Sequence, residues 1–275
     1  MSKTIVTHIN PDPDAITSVW LLRRFEKEFS EAKVEFVAAG ETIDGQPADI
    51  NPDIVHVDTG GGQFDHHDTN ERTCAAKRIL DYLQNKYDYI REDEALERLV
   101  EVVIGDDHFE ECDWPEALAD RYSFMFGDIL DGLKRNNTLT DHGLVDLGCT
   151  CLDGIYTSLK LKIEAEEEIE NGKEFETKWG KALGLVSKND EVLTVGMKNG
   201  FVVVVRKDPD GMIRIKAQPQ SGVDLTEIYE KVKEKDSEAT WFLHASKKML
   251  LNGSYKNPSA KFSKLSLEEI VGLFE

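Results

Sequence analysis

Residues 7 to 16 read THINPDPDAI and hold His8, Asp12 and Asp14 close together. An imidazole and two carboxylates form a mixed nitrogen and oxygen donor set, which suits Mn, Fe, Co or Zn better than an all-oxygen calcium site would. Two further stretches carry the same residue types. IVHVDTGGG places Asp58 before a run of glycines, and FDHHDTN places Asp65, His66 and His67 in succession. VVIGDDHF adds Asp106, Asp107 and His108. Singly, each has a plain reading. Asn, Asp and Pro favour turns anyway, a His-His pair can lie on a surface, and two acids can end a helix in solvent. Together they can do metal chemistry. Carboxylates held close raise one another's pKa values and take up protons unless cations occupy the site. One carboxylate bridging two metals makes a centre that activates water and clamps a phosphoryl group.

The elements around these residues would bring them to one place. KTIVTHI is β-branched and runs into an Asn-Pro turn, as a strand does. Ala15, Val19, Leu22, Phe25 and Phe29 then mark one face of a helix. VEFVAAG and DIVHVDTGG read as two more short buried strands, and TCAAKRILDYLQNKY and DEALERLVEVVIG as helices. Strands alternating with helices predict a parallel sheet covered on both faces. Ligands bind such a sheet beyond the carboxyl ends of its strands, and that edge is where His8, Asp12, Asp14, Asp58 and the Asp-His-His triplet fall. Farther on, LDGIYTSLKLKIEAEEEIENGK reads as a long helix closing at Asn171-Gly172. EVLTVGMKNGFVVVVRKDPDGMIRIKAQP reads as strands of an antiparallel meander, and LSLEEIVGLFE as an amphipathic piece. The predicted fold class is α/β. It comprises a parallel-sheet domain over residues 1 to 147, a linker helix over 148 to 172, and a smaller α+β domain over 173 to 275.

With 275 residues, 40% of them hydrophobic and 31% charged, the composition is that of a soluble globular protein of about two domains. The formal net charge of −20 opposes binding to a long polyanion. A phosphate-bearing substrate is therefore expected to be short or to meet a local basic pocket, while most of the acid serves solubility. No apolar run is long enough to cross a membrane, and MSKTIVTHINPD lacks the features of a secretory signal. Cys74, Cys112, Cys149 and Cys151 have neither zinc nor disulfide spacing and read as buried thiols. The expected compartment is the cytoplasm.

THINPDPDAITS, HVDTG and FDHH together resemble the DHH phosphoesterase superfamily, named for its Asp-His-His triplet. That superfamily includes manganese-dependent exonucleases, oligoribonucleases, cyclic-dinucleotide hydrolases and a class of inorganic pyrophosphatases. VDTGGGQFDHHDTN is most similar to the melanocyte proliferating gene type, and IRIKAQP and FLHASKKMLLNG are similar to pieces of that branch's C-terminal half. The resemblance implies two divalent metals, with manganese expected. His8 and Asp12 would bind one, Asp14 and His66 the other, and Asp58 would bridge them. His67 would face the phosphate and stabilise charge on its oxygens, with Asp65 orienting a neighbouring histidine. Asp107 is preferred over Asp106 as a further ligand, because Asp-His resembles the family's ending there. His108 is read as a surface residue.

The Gly-Gly-Gly-His signature by which many superfamily members grip substrate is missing. HASKKMLLNGSYKNP stands in its place, with His244, Ser246, Lys247, Lys248, Asn252, Ser254 and Lys256 around Gly253. A glycine-centred turn lets backbone N–H groups approach an anion. The stretch reads either as a phosphate clamp or as an amphipathic helix and an ordinary surface turn. Arg206 and Arg214 are weaker phosphate candidates. Trp241 and Phe242 could stack a base but fit the core of a strand better, and Trp114 and Trp179 carry no distinguishing context.

The expected activity is that of a manganese-dependent two-metal phosphodiesterase. It would act as a 3′-to-5′ exonuclease on short or single-stranded oligonucleotides and release mononucleotides. A small-molecule phosphatase or inorganic pyrophosphatase is the alternative within enzymes, and a metal-stabilised binding protein the alternative outside them. The expected partners are a short nucleic acid or nucleotide and, as an open option, a second copy of the chain.

Overall fold

The computed structural model describes residues 3 to 254 and 256 to 274. The chain divides into two compact units, Met1–Leu159 and Lys160–Glu275. Among the described residues no helix is long and apolar enough to cross a membrane.

The first unit begins with β1 (Thr4–His8), α1 (Pro13–Phe25), β2 (Lys33–Val37) and β3 (Ile54–His56). β1 lies between β2 and β3 and is parallel to both, pairing Thr4 with Lys33 on one side and Ile54 on the other. Ile5 and Val6 on this central strand are fully buried, which explains its β-branched run. The Asp12 side chain starts α1 by accepting from the Ala15 amide at 2.9 Å, with Pro13 in the first turn. Ala15, Ile16, Val19 and Leu22 form the buried face of α1. α2 (Ala75–Lys86), α3 (Asp88–Arg91) and α4 (Glu94–Asp107) follow, and both α2 and α4 pack on α1. Leu80, Leu83, Leu96 and Val100 are buried there, and full burial of each such side chain stabilises the fold by about 1.5–3 kcal/mol. Glu26, just beyond α1, is also buried, and its carboxylate accepts from Lys86 at 2.6 Å, Tyr87 at 3.1 Å and Tyr82 at 3.2 Å.

Next come α5 (Phe126–Arg135) and α6 (Asp141–Glu170). α6 starts before the linker helix expected from residue 148. The Thr140 hydroxyl accepts from the Gly143 amide at 3.2 Å, so a capping residue outside the apolar pattern sets the start.

The second unit contains β4 (Lys173–Thr177), β5 (Gly180–Val186), α7 (Glu191–Lys198), β6 (Val203–Lys207), β7 (Ile213–Ala217), α8 (Thr226–Lys235), β8 (Trp241–Leu243), β9 (Met249–Asn252) and α9 (Leu267–Val271). Its sheet has the order β4-β5-β6-β7-β9-β8. All neighbours are antiparallel except β5 and β6. That exception corrects the expected meander. EVLTVGMK is a helix because two parallel neighbours need a crossover between them. Val192, Leu193, Val195 and Gly196 form its buried helical face, so tertiary position overrides the strand preference of the two β-branched valines. β6 also carries Arg206, 2% exposed, which pairs with Asp208 at 3.3 Å and with Asp190 at 3.1 Å.

Candidate metal centre

Because β1 and β3 are parallel neighbours, their carboxyl ends lie side by side. His8 ends β1, and Asp58 stands two residues past the end of β3. Asp58 has φ +55°, in the left-handed region that a non-glycine residue rarely adopts but Asp tolerates. Gly60 and Gly61 continue the turn at φ +81° and +68°. A Cβ on Gly60 would come within 2.9 Å of Thr42 Cγ2, so glycine is needed for space as well as for backbone angle. The turn delivers the Gly61 amide to Asp65 Oδ2 at 2.7 Å, and Val57 pairs with Phe64. His66 and His67 are thereby folded back toward the strand ends. Asp14, in the first turn of α1, is 2% exposed, and its two oxygens accept from the Ala75 and Ala76 amides at 2.8 and 2.7 Å. A carboxylate at the N-terminus of α2 is favoured by the helix dipole. Asp107 ends α4.

These pieces form two groups that meet at one carboxylate. His8 Nε2 lies 3.5 Å from Asp12 Oδ2 and 3.1 Å from Asp58 Oδ2. His66 Nε2 lies 3.6 Å from Asp14 Oδ2, 3.7 Å from Asp107 Oδ2 and 3.3 Å from Asp58 Oδ1. Asp58, 3% exposed, thus turns one oxygen to each histidine. Asp58 Oδ1 and His66 Nε2 are both buried, and neither makes a hydrogen bond, although they face each other. Donor atoms of His8, Asp12 and Asp58, of Asp14, His66 and Asp107, and of Asp58, His66 and His67 converge to within 4.8 Å in each group. Buried polar atoms without partners are costly. Their convergence together with four carboxylates could hold divalent metal.

The crowding of these groups shifts their titration. Burial works against the charge on His8, yet Asp12 and Asp58 outweigh it and push the imidazole up to about 11. The Asp58 carboxylate, against burial and with help from Asp107 and Asp14, raises His66 to about 9. Burial, with Asp58 beside it, holds Asp14 well above the ordinary carboxylate value. Burial likewise raises Asp107, despite the opposing pull of His66. Asp12 goes the other way, because His8 outweighs its burial.

Asp65 Oδ1 accepts from His67 Nδ1 at 2.7 Å and from the His67 amide at 3.1 Å. The contacts lower the Asp65 pKa in spite of its burial. His67 is 65% exposed, and its Nδ1 lies 3.8 Å from Asp58 Oδ1. Arg78 holds the loop by donating to the Asp65 carbonyl and to Asp68 at 2.8 Å. His108 hydrogen bonds the Thr73 carbonyl through Nε2 at 3.0 Å. Asp106 stands outside all three groups, against Gly127 of α5, where a Cβ would meet its Oδ1 at 2.8 Å.

The residues expected to hold substrate in the second unit are arranged differently. Lys248, expected to help hold a phosphate, donates to the carbonyls of Ser221 and Val223. Arg214 is paired with Asp190. His244 and Ser246 hydrogen bond each other at 2.8 Å in an exposed turn. Gly253 has φ +83° and packs tightly against Phe262 and Met212. Ser254 Oγ accepts from the Lys256 amide at 3.1 Å. MLLN of the expected amphipathic helix is strand β9. Trp241 is buried and Phe242 is 55% exposed.

Sequence reasoning overlooked three acids beside the cluster, Glu111, Asp128 and Asp131. A cavity of about 310 Å³ is lined by Asp12, Asp14 and Asp107 and also by Asp106, Glu111, Asp128 and Asp131. Burial, with Glu111 next, pushes Asp106 up to about 6. The run GDILD, with acids at i and i+3 on a helix, carried the signal for Asp128 and Asp131. Nothing in the irregular stretch around Glu111 did.

No protein-family model matches the chain, and no curated protein matches it. Among solved structures it is similar to an uncharacterized protein from Helicobacter pylori G27, with 13% identity, 100% of this chain and 99% of that chain covered, and a TM-score of 0.27. It is also similar to the DHH domain of a member of the s1p family of ribosomal proteins, at 12% identity, 99% and 85% coverage, and a TM-score of 0.34. An exopolyphosphatase-related protein from Bacteroides fragilis gives 13%, 99%, 90% and 0.25 for the same quantities. Likenesses of this size leave the chemistry to rest on the chain's own residues.

Proposed function

We propose that this chain is a two-metal phosphoesterase of the DHH type. The observation that carries the reading is Asp58, a buried carboxylate shared between two groups of donors, with its Oδ1 and His66 Nε2 left without hydrogen bonds. His8 and Asp12 would hold one cation, Asp14, His66 and Asp107 the other, and Asp58 both. Two divalent cations, manganese foremost for mixed imidazole and carboxylate donors, would supply Lewis acidity and a lowered water pKa.

The remaining work falls to the protein. In hydrolysis a water oxygen bonds to phosphorus, the P–O bond to the alcohol breaks, and the departing oxygen takes a proton. His67 donates Nδ1–H to Asp65, which fixes the tautomer and leaves Nε2 as the atom to meet a phosphate oxygen or exchange that proton. Its exposure lets substrate reach it. The Ala75 and Ala76 amides hold Asp14 in place, and Arg78 holds the loop that bears Asp65.

The proposed substrate is the end of a short or single-stranded oligonucleotide, cut from 3′ to 5′ with release of mononucleotides. The net charge of −20 supports short substrates. A small-molecule phosphatase is the second reading, favoured by the acidic cavity beside the cluster, which disfavours a polyanion there. The test is hydrolysis by chelator-stripped protein given Mn2+ back, on 5′-labelled oligonucleotides of graded length and on simple phosphomonoesters and pyrophosphate. Shortening from the 3′ end supports the exonuclease, and phosphate release from small esters alone supports the phosphatase. Metal binding without turnover on any of them would overturn both.

A further inference from the structure

The acidic cavity shares a wall with a second one of about 320 Å³. Pro13, Asp106, Glu111, Gly127 and Asp128 face both spaces. The second cavity changes character away from that wall, where Val103, Trp114, Leu118, Tyr122, Met125 and Phe126 line it. The Trp114 and Tyr122 rings lie 5.1 Å apart and are tilted by 49°. Leu118 is 100% exposed, so a large apolar side chain stands at this site without cover. A volume of this size lies within the usual range for small-ligand sites, about 300–1,000 Å³.

We infer that this cavity binds the nucleoside end of the substrate, as a neutral or cationic planar ring that stacks on Trp114 and donates N–H groups to the acidic wall. Two independent features choose the ligand's chemistry. Aromatic side chains stack any planar ring. At the wall stand the carboxyl groups of Asp106, Glu111 and Asp128, whose oxygens accept hydrogen bonds. A ring edge with amino hydrogens, as in adenine, cytosine or guanine, matches those oxygens better than the carbonyl-rich edge of uracil. A phosphate would be repelled by Asp106, Glu111 and Asp128. Arg121, over the Tyr122 ring at 4.8 Å, is paired with Glu116 at 2.7 Å and leaves little positive charge to offset that repulsion. The nucleic acid chain therefore stops in this cavity, and cleavage is confined to a terminus.

This inference rests on the phosphoesterase reading for its substrate, but its test can stand apart from turnover. Adenosine, uridine and inorganic phosphate would each be titrated calorimetrically into the full-length protein stripped of metal. Adenosine is expected to bind, uridine more weakly, and phosphate not at this site. Trp114→Ala should weaken adenosine about 10-fold or more, the size of one lost stacking contact. Trp114→Phe should recover most of that loss, which a folding defect would not allow. With Mn2+ restored, Trp114→Ala should raise KM for adenosine-ended dinucleotides about 10-fold and leave metal content and the hydrolysis of glycerol phosphate within about 2-fold. No adenosine binding, or equal losses on both kinds of ester, overturns the cavity's role. Trp114-dependent adenosine binding with no turnover of any phosphoester upholds the cavity and overturns the phosphoesterase.

Discussion

Each unit of the molecule buries a cluster of charged side chains, and the two clusters are built on opposite rules. In the second unit Arg206 and Arg214 face Asp190 and Asp208, so two guanidinium groups meet two carboxylates at ion-pair distance. The charges cancel within the protein. In the first unit Asp12, Asp14, Asp58 and Asp107 surround His8 and His66, and two buried donor atoms have no hydrogen bond. Burial of charge is tolerated when it is paired. Side-chain atoms without a hydrogen bond occur in both clusters, Asp190 Oδ1, Arg206 Nε and Arg214 Nε among them, so it is the excess of carboxylate around Asp14 and Asp58 that calls for a balancing charge from outside. The comparison teaches that burial and ionisability alone do not mark a site, whereas local imbalance does.

The sharpest way to break this contrast is to remove Asp58. Asp58→Ala should drop bound Mn2+ below one per chain and lower turnover by about 10⁴-fold or more, because both proposed metal positions share it. Metal analysis beside a rate measurement checks this, and retention of two ions would end the bridging role. Arg206→Ala should do the reverse. It leaves Asp208 buried without its partner and should cost about 3–5 kcal/mol in urea unfolding, while metal content stays at the wild-type level. His67→Ala should keep the metal and lower kcat by about 10²–10³-fold, the scale of a lost proton-transfer group. Equal metal loss in this variant would move His67 into the ligand set.

The smallest effect belongs to Glu26, a buried carboxylate of the first unit that follows the second unit's rule. Burial opposes its ionisation, but Lys86, Tyr87 and Tyr82 outweigh burial and hold its pKa below the ordinary 4.5. Its contribution to stability is therefore complete above pH 4.5 and lost as pH falls through the lower folded value. Glu26→Gln should cost about 1–2 kcal/mol at pH 7. The difference from wild type should close below pH 4.5, as followed by unfolding at several pH values.

The first unit was the more legible in sequence. Its strand ends, the Asp12 cap and the face of α1 are local patterns, and a parallel sheet then puts His8 and Asp58 within 3.1 Å although fifty positions separate them. Illegible features depend on partners that the local pattern does not name. EVLTVGMK has the composition of a strand, and only its place between parallel β5 and β6 makes it a helix. Lys248 looks like a phosphate ligand until the carbonyls of Ser221 and Val223 are brought to it. Glu111 and Trp114 lie in a stretch with no periodicity, where short 3-10 turns rather than a repeating face decide which side chains point inward. In physical terms, periodic backbone is written locally, and the choice of polar partner is not.

Asp14 faces two ways. One of its oxygens points at His66, and both accept from the opening amides of α2. Electron density drawn from that carboxylate weakens what it offers to the Ala75 and Ala76 N–H groups. The start of α2 is thus a spectroscopic gauge built into the chain. Its two amide resonances, assigned once, would register the charge state at the strand ends directly, with no substrate and no label on the ion.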